Sequence, residues 1–247
     1  MRRSLAVVVA LGLLVAACGG TTSPDDPTTT SPGQAETTTT TSAPDETTTT
    51  ESPTTSTLPG EPIDFGPRAG DRLIVVGVAH DDVLNLRAGP GVGQEILAEL
   101  APTADDVVAR GATRQLDRSL WIEVRADGTT GWVSLAFVGY EGITDDATAA
   151  TIDELGGRIT ADSMSELGAL VAIAWASQDP ASDVVKVVDA TVGDLGEVTY
   201  DVIGLGDDSV LGFRLAVFGE PVGGGFSLRT VERTTICGRG VDADGLC

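Results

Sequence analysis

The chain holds few residues able to make or break bonds, and their spacing works against it. One histidine, His80, and three cysteines, Cys18, Cys237 and Cys247, are its only imidazole and thiols in 247 residues. A cysteine nucleophile needs a base to hold it as thiolate, and His80 sits beside Asp81-Asp82 in an expected turn, remote in sequence from every thiol. No Gly-x-Ser-x-Gly elbow is present. Gly89-Pro90-Gly91-Val92-Gly93 is glycine-rich but lacks the Gly-Lys-Ser/Thr that grips phosphates, so it reads as a turn. Asp242-Ala243-Asp244-Gly245 opens like a calcium loop, yet only Leu246 and Cys247 follow it, too few for the later ligands. The acidic doublets Asp81-Asp82, Asp105-Asp106, Asp145-Asp146 and Asp207-Asp208 fall at the ends of expected elements. There they read as solvated turn residues and not as acid–base pairs. The expectation is a protein without catalysis, cofactor or metal.

Charge narrows the partners. Asp and Glu number 37 against 15 Lys and Arg, a formal charge of −22, and Lys186 is the only lysine. Nucleic acid is not an expected partner, because phosphate contacts need clustered positive charge. Aromatic residues make up 4% of the chain, so a core must be built mainly from Val, Leu, Ile and Ala.

The N-terminus reads as an address. Arg2 and Arg3 precede an uncharged apolar run from Leu5 to Ala17, too short for a membrane span of about 20 residues. It ends in Leu14-Val15-Ala16-Ala17-Cys18, with Gly19-Gly20 following. This resembles the lipobox of bacterial lipoproteins. The resemblance implies a signal peptide over 1–17, lipidation of Cys18, and a place on the outer face of the cytoplasmic membrane. Each buried methylene contributes about 0.8 kcal/mol, so two or three acyl chains form a lasting anchor. From residue 18 to residue 62 Thr, Ser, Pro and acids dominate, without Lys or Arg. Such a segment buries too little apolar surface to offset its conformational entropy, so a disordered tether is expected. Its reach is roughly 35–40 Å as a coil and about 145 Å at full extension.

Short β-rich runs begin at Asp71. Arg72 to Val76, Val83 to Arg87, Ile96 to Leu100, Asp106 to Ala109, Trp121 to Arg125 and Gly131 to Val133 are separated by polar or Gly/Pro turns. Asp127-Gly128 is a hairpin signal. This spacing predicts a small antiparallel barrel over 63–140. Within it, Leu84-Asn85-Leu86-Arg87-Ala88-Gly89-Pro90-Gly91, then Trp121-Ile122-Glu123-Val124, then Gly131-Trp132-Val133, resemble the three motifs of bacterial SH3 (SH3b) domains, in the same order. Ala104 to Leu120 departs from that pattern, being longer and more polar. The resemblance implies an envelope-binding module, for peptidoglycan or its peptide stems. Asn85 can donate and accept, Arg87 can pair with a carboxylate, and Trp121 can offer a ring face. Against this, Arg87 could simply pin its turn, and Trp132 reads as core.

After Tyr140 a polar stretch leads to a helix capped by Ser163-Met164-Ser165-Glu166. Met164, Leu167, Leu170, Val171, Ala174 and Trp175 recur at helical spacing, and Pro180 ends the helix shortly after Gln178. Four strands follow, Val184–Val188, Glu197–Leu205, Val210–Phe218 and Phe226–Ile236. One main helix on an antiparallel sheet is an α+β domain, expected over 150–247. Gly193 to Tyr200 and Cys237 to Val241 resemble an uncharacterised C-terminal domain of lipoproteins from high-GC Gram-positive bacteria. With Cys18 lipidated, Cys237 and Cys247 remain as a disulfide pair, worth about 2.7 kcal/mol by loop entropy. The rival, a zinc site, lacks ligands. The expected fold is thus an SH3-like barrel followed by an α+β domain. The expected function is contact with wall peptide, peptidoglycan or an envelope protein. The alternatives are an accessory subunit binding through the C-terminal sheet, and an envelope hydrolase with an unrecognised site.

Overall fold

The computed structural model describes residues 58–247. The expected signal peptide, Cys18 and all but the last residues of the expected tether lie outside the described residues. The elements in chain order are β1 (Glu61–Pro62), β2 (Arg72–Val75), β3 (Leu84–Arg87), β4 (Ile96–Leu100), β5 (Val107–Leu116), β6 (Ser119–Ala126), β7 (Thr129–Ser134) and β8 (Val138–Asp146). Helix α1 (Thr148–Glu154), β9 (Thr160–Ala161), helix α2 (Met164–Trp175), β10 (Asp183–Val192), β11 (Gly196–Ile203), β12 (Val210–Val222) and β13 (Gly225–Cys237) complete the chain.

The expected barrel followed by an α+β domain is not what forms. The strands join in one open, antiparallel 13-stranded sheet, ordered β10-β11-β12-β13-β8-β2-β5-β6-β7-β3-β4, with β1 on β5 and β9 on β13. Its two α-helices are short, 7 and 12 residues. The element that joins the two groups of strands into one sheet is β8. Its first residues pair with β2, Val138 with Val75 and Gly139 with Ile74, and from Tyr140 onward it pairs with β13. The polar stretch after Tyr140 is therefore a strand, held by polar partners. Thr144 and Thr234 share a hydrogen bond of 2.7 Å, and Arg233 donates to both oxygens of Asp145 at 3.0 and 2.8 Å.

Local rules explain the pieces. Asp127 and Gly128, with φ of 47° and 78°, turn the β6–β7 hairpin. That backbone twist matches the twist of the strands it joins. The stretch that departs from the SH3b pattern is the extended β5–β6 hairpin, with a bulge between Ala109 and Thr113. Ser163 Oγ accepts the Glu166 N–H at 3.2 Å and caps α2. That helix buries Met164, Leu167, Gly168, Val171 and Ala172, whereas Leu170 is 40% exposed and lies outside the buried stripe. It ends at Trp175, earlier than Pro180 suggested. Trp175 donates its indole N–H to Thr151 Oγ1 at 3.0 Å and stacks edge-on against Phe213. Cys237 and Cys247 are bonded, joining the C-terminus to the end of β13.

β2 ties the core together. Leu73 and Val75 pack into the cluster formed by β3, β5, β6 and β7, while Ile74 and Val76 pack with Ile236, Ile203 and Leu211. A strand apolar on both faces needs cover on both, and here the second cover is the C-terminal half. Polar contacts add to this. Asp201, fully buried on β11, accepts from Arg214 Nε at 2.8 Å, Arg214 Nη2 at 2.9 Å and the Gly77 N–H at 2.9 Å. Arg214 Nη2 also donates to the Val75 carbonyl at 2.8 Å.

Two outcomes follow from this packing. Removing one partner of a buried ion pair strands the other charge, so Arg214→Met or Asp201→Asn is expected to lower unfolding free energy by about 3–5 kcal/mol. Trp121 and Trp132 report on the first half and Trp175 on the second, so urea unfolding by fluorescence and circular dichroism should show one coincident transition. Two separate transitions, the earlier alone shifted by Arg214→Met, would contradict a single unit. Separately, burial raises the Tyr140 phenol pKa, and its hydrogen bond to the Asp71 carboxylate raises it further; burial also raises Tyr200. Unfolded tyrosine ionises near pH ~10, so the unfolded chain releases these protons first. The contribution of these two tyrosines should be constant below that pH and fall as pH rises above it, with Tyr140→Phe and Tyr200→Phe flattening the decline between urea midpoints at about pH 9 and 11.

Candidate functional site

Asn85, Arg87 and Trp121, which sequence reasoning placed on three separate grounds of chemistry, line one groove of about 540 Å³. Alternation puts them there. On β3, Leu84 and Leu86 are buried in the core, so Asn85 and Arg87 point to the other face. On β6, Ile122, Val124 and Ala126 enter the core, and Trp121 faces away from it. Gly131 allows the strands to close. A Cβ there would meet the Arg87 carbonyl oxygen at 2.7 Å and Leu86 Cγ at 2.9 Å, so only glycine lets β7 approach β3 this closely.

Each residue offers something specific. Arg87 donates from Nη1 to the Gln94 carbonyl at 2.8 Å, so it does pin the loop between β3 and β4. A guanidinium carries five N–H groups in a fork, and the others stay suited to a carboxylate. Asn85, half-buried, presents a donor and an acceptor together. Trp121 is 4% exposed, and its indole N–H is taken by Ser119 Oγ at 2.9 Å, which leaves a strip of ring as groove floor. Trp132 is buried opposite Arg87 and Glu123 and does not line the groove.

The remaining lining was not foreseen. Phe137, 41% exposed, and Val92, 80% exposed, supply apolar edges, Asp82 an acidic one, and Val185 of β10 closes the groove from the C-terminal half. An apolar residue inside the Gly89-to-Gly93 turn and an aromatic just after Gly131-Trp132-Val133 were visible signals for the first two. Val185 carries no local signal, because its place depends on pairing across the whole sheet. The Asp82 carboxylate accepts the Val83 N–H at 2.8 Å, so it also shapes its own turn.

Other residues with possible chemistry lie apart. His80 donates its backbone N–H to the Lys186 carbonyl at 2.9 Å and does not line the groove. Asp242 Oδ1 accepts the Asp244 and Leu246 N–H groups, each at 2.9 Å, which makes the calcium-like opening a turn. Among the described residues no three His, Cys, Asp or Glu side chains come together as a metal site, and no helix is long and apolar enough to cross a membrane. No protein-family model, curated protein or solved structure shows a significant match to the chain.

The two polar groove residues should differ in what they give the fold. Arg87→Ala loses a charge-assisted bond to Gln94 and is expected to cost about 1.5–3 kcal/mol in urea unfolding. Asn85→Ala should stay within about 0.5 kcal/mol of the parent chain. A reversed order would contradict the assigned contacts.

Proposed function

We propose that this chain is a non-catalytic, lipid-anchored contact protein of the bacterial envelope, and that its groove holds a short extended peptide of the wall or of an envelope protein. The observation that carries the reading is the convergence of Asn85, Arg87 and Trp121 on one groove. A recess of about 540 Å³ is of a size that takes small ligands. Its chemistry suits a peptide bearing a carboxylate: Arg87 for the acid, Asn85 for a backbone amide, and Trp121, Phe137 and Val185 for aliphatic side chains. The resemblance of residues 84–91, 121–124 and 131–133 to SH3b motifs points to the same ligand class. The Leu14-to-Cys18 resemblance to a lipobox supplies the anchor, with the Thr- and Pro-rich segment as spacer.

A second reading, an accessory subunit docking through the C-terminal sheet, is favoured by β10. It is an edge strand with Val188 and Val192 36% and 65% exposed, and exposed edges invite pairing with another chain. Crosslinking in membranes separates the readings, since a defined adduct on residues 183–192 supports the second.

The full chain is expected to be retained on purified cell wall, with retention reduced at least tenfold by combined Asn85→Ala and Arg87→Ala substitution at unchanged circular dichroism. Retention no better than that of an unrelated acidic protein would remove the wall ligand. Fatty-acid labelling lost in Cys18→Ala is the expected result for the anchor, and equal labelling would remove it.

A further inference from the structure

The chain's scarce positive charge collects away from the groove. Two adjoining cavities of about 670 and 480 Å³ share Gly66, Arg68, Tyr140 and Arg239, and Arg110 lines the first and Arg72 the second. Four arginines thus border one cleft in a chain with 15 Lys and Arg and a formal charge of −22.

They come from three distant segments, and the backbone fixes each one. The Arg68 N–H is donated to Asp71 Oδ2 at 2.8 Å. The Gly70 N–H meets the Ala109 carbonyl, and the Ala109 N–H meets the Asp71 carbonyl, both at 2.9 Å, which zips the Arg68 loop to β5 beside Arg110. Gly111, at φ +83°, sits so close to this loop that a Cβ would lie 3.0 Å from the Ala69 nitrogen. Arg239 follows Cys237, and the disulfide to Cys247 and the Gly238 N–H bond to Ser209 hold its segment.

The local acids offset the four arginines only in part. Asp64 and Asp71 also line it, two carboxylates against four arginines, and Asp71 Oδ2 is drawn toward the Tyr140 hydroxyl at 2.8 Å and the Arg68 N–H. Arg239 pairs with Asp208 at 3.0 Å, both side chains being more than half exposed. So exposed a pair is weak and yields readily to a ligand. Arg68, Arg72 and Arg110 form no ion pair among the described residues. Like charges held in a recess repel until an anion joins them, and arginine grips carboxylate and phosphate through paired N–H groups. A positive recess on an acidic protein also directs anions to that place.

We infer that this cleft binds an oligoanion, a ligand with several closely spaced phosphate or carboxylate groups that reaches from Arg110 to Arg72 across Arg68 and Arg239. Calorimetry on the full chain at low salt, with inorganic tripolyphosphate and with citrate as probes, tests it. Saturable binding of at least one probe is expected, the tighter one telling phosphate from carboxylate. Arg68→Gln and Arg239→Gln should each weaken it about tenfold, and salt at about 0.15 M should weaken it further. Arg118→Gln, in the exposed β5–β6 turn, and Asn85→Ala, in the groove, should change it less than twofold, which keeps this inference separable from the groove reading. No saturable heat with either probe, or equal weakening by Arg118→Gln, would overturn it.

Discussion

Asp201 has no access to water, and Arg214 is the group that makes its charge tolerable there. The two face each other directly across β11 and β12. Three N–H groups reach the carboxylate, two from Arg214 and one from Gly77, while Arg214 continues to the Val75 carbonyl. A buried carboxylate with fewer partners would carry a heavy desolvation cost. The contact therefore specifies more than it stabilises. It fixes where the end of β2 lies against β11 and β12, and so where Gly77 and Val78, at one side of the groove, stand relative to Val185 at the other. An apolar pair of equal volume could fill the space, but it would leave the Gly77 N–H without its acceptor and Val75 without its side-chain donor.

The two signs of charge are used differently. Apart from Asp71, Asp145 and Asp201, the acids with assigned backbone contacts act locally: Asp82, Asp146, Asp207 and Asp242 each accept backbone N–H groups within four residues and shape turns. The Thr148 side-chain hydroxyl, and then its N–H, hold the exposed Asp146 carboxyl below the usual carboxylate range, and the Val210 and Ser209 N–H groups do the same for the exposed Asp207. The arginines act at long range. Arg114 reaches the Leu58 and Gly60 carbonyls, Arg158 reaches that of Leu228, and Arg233 joins Asp145 while lying 4.6 Å from the Trp175 ring. With aromatic residues at 4% of the chain, these polar links do some of the cross-connection that larger side chains give elsewhere.

Features governed by neighbours in sequence were legible. The Ser163 cap, the Asp127-Gly128 hairpin and the alternation that turns Asn85 and Arg87 outward all depend on a few adjacent residues. What the sequence hid was the continuity of the sheet. β8 lacks a clean apolar alternation because its partners on β13 are polar, Thr144 with Thr234 and Asp145 with Arg233, some 90 residues away. One signal was present: Leu73-Ile74-Val75-Val76 is apolar at every position, where a strand with one solvated face would alternate. The groove was legible in its polar residues and illegible in Val185, which only the completed sheet brings near Trp121. The Asp201–Arg214 pair was not legible, because only the register of β11 against β12 sets the two residues opposite each other.

The way the chain enters the sheet has a mechanical consequence. β1 pairs with β5 through only two residues, Glu61 with Gln115 and Pro62 with Arg114, and Arg114 clasps the carbonyls of Leu58 and Gly60. Tension applied from the N-terminal side is borne first by this short ladder, whose few bonds break one after another when pulled outward. Tugging would thus peel off β1 before loading β2, whose two buried faces resist, so the first strand behaves as a fuse that yields while the Asp201–Arg214 lock stays shut.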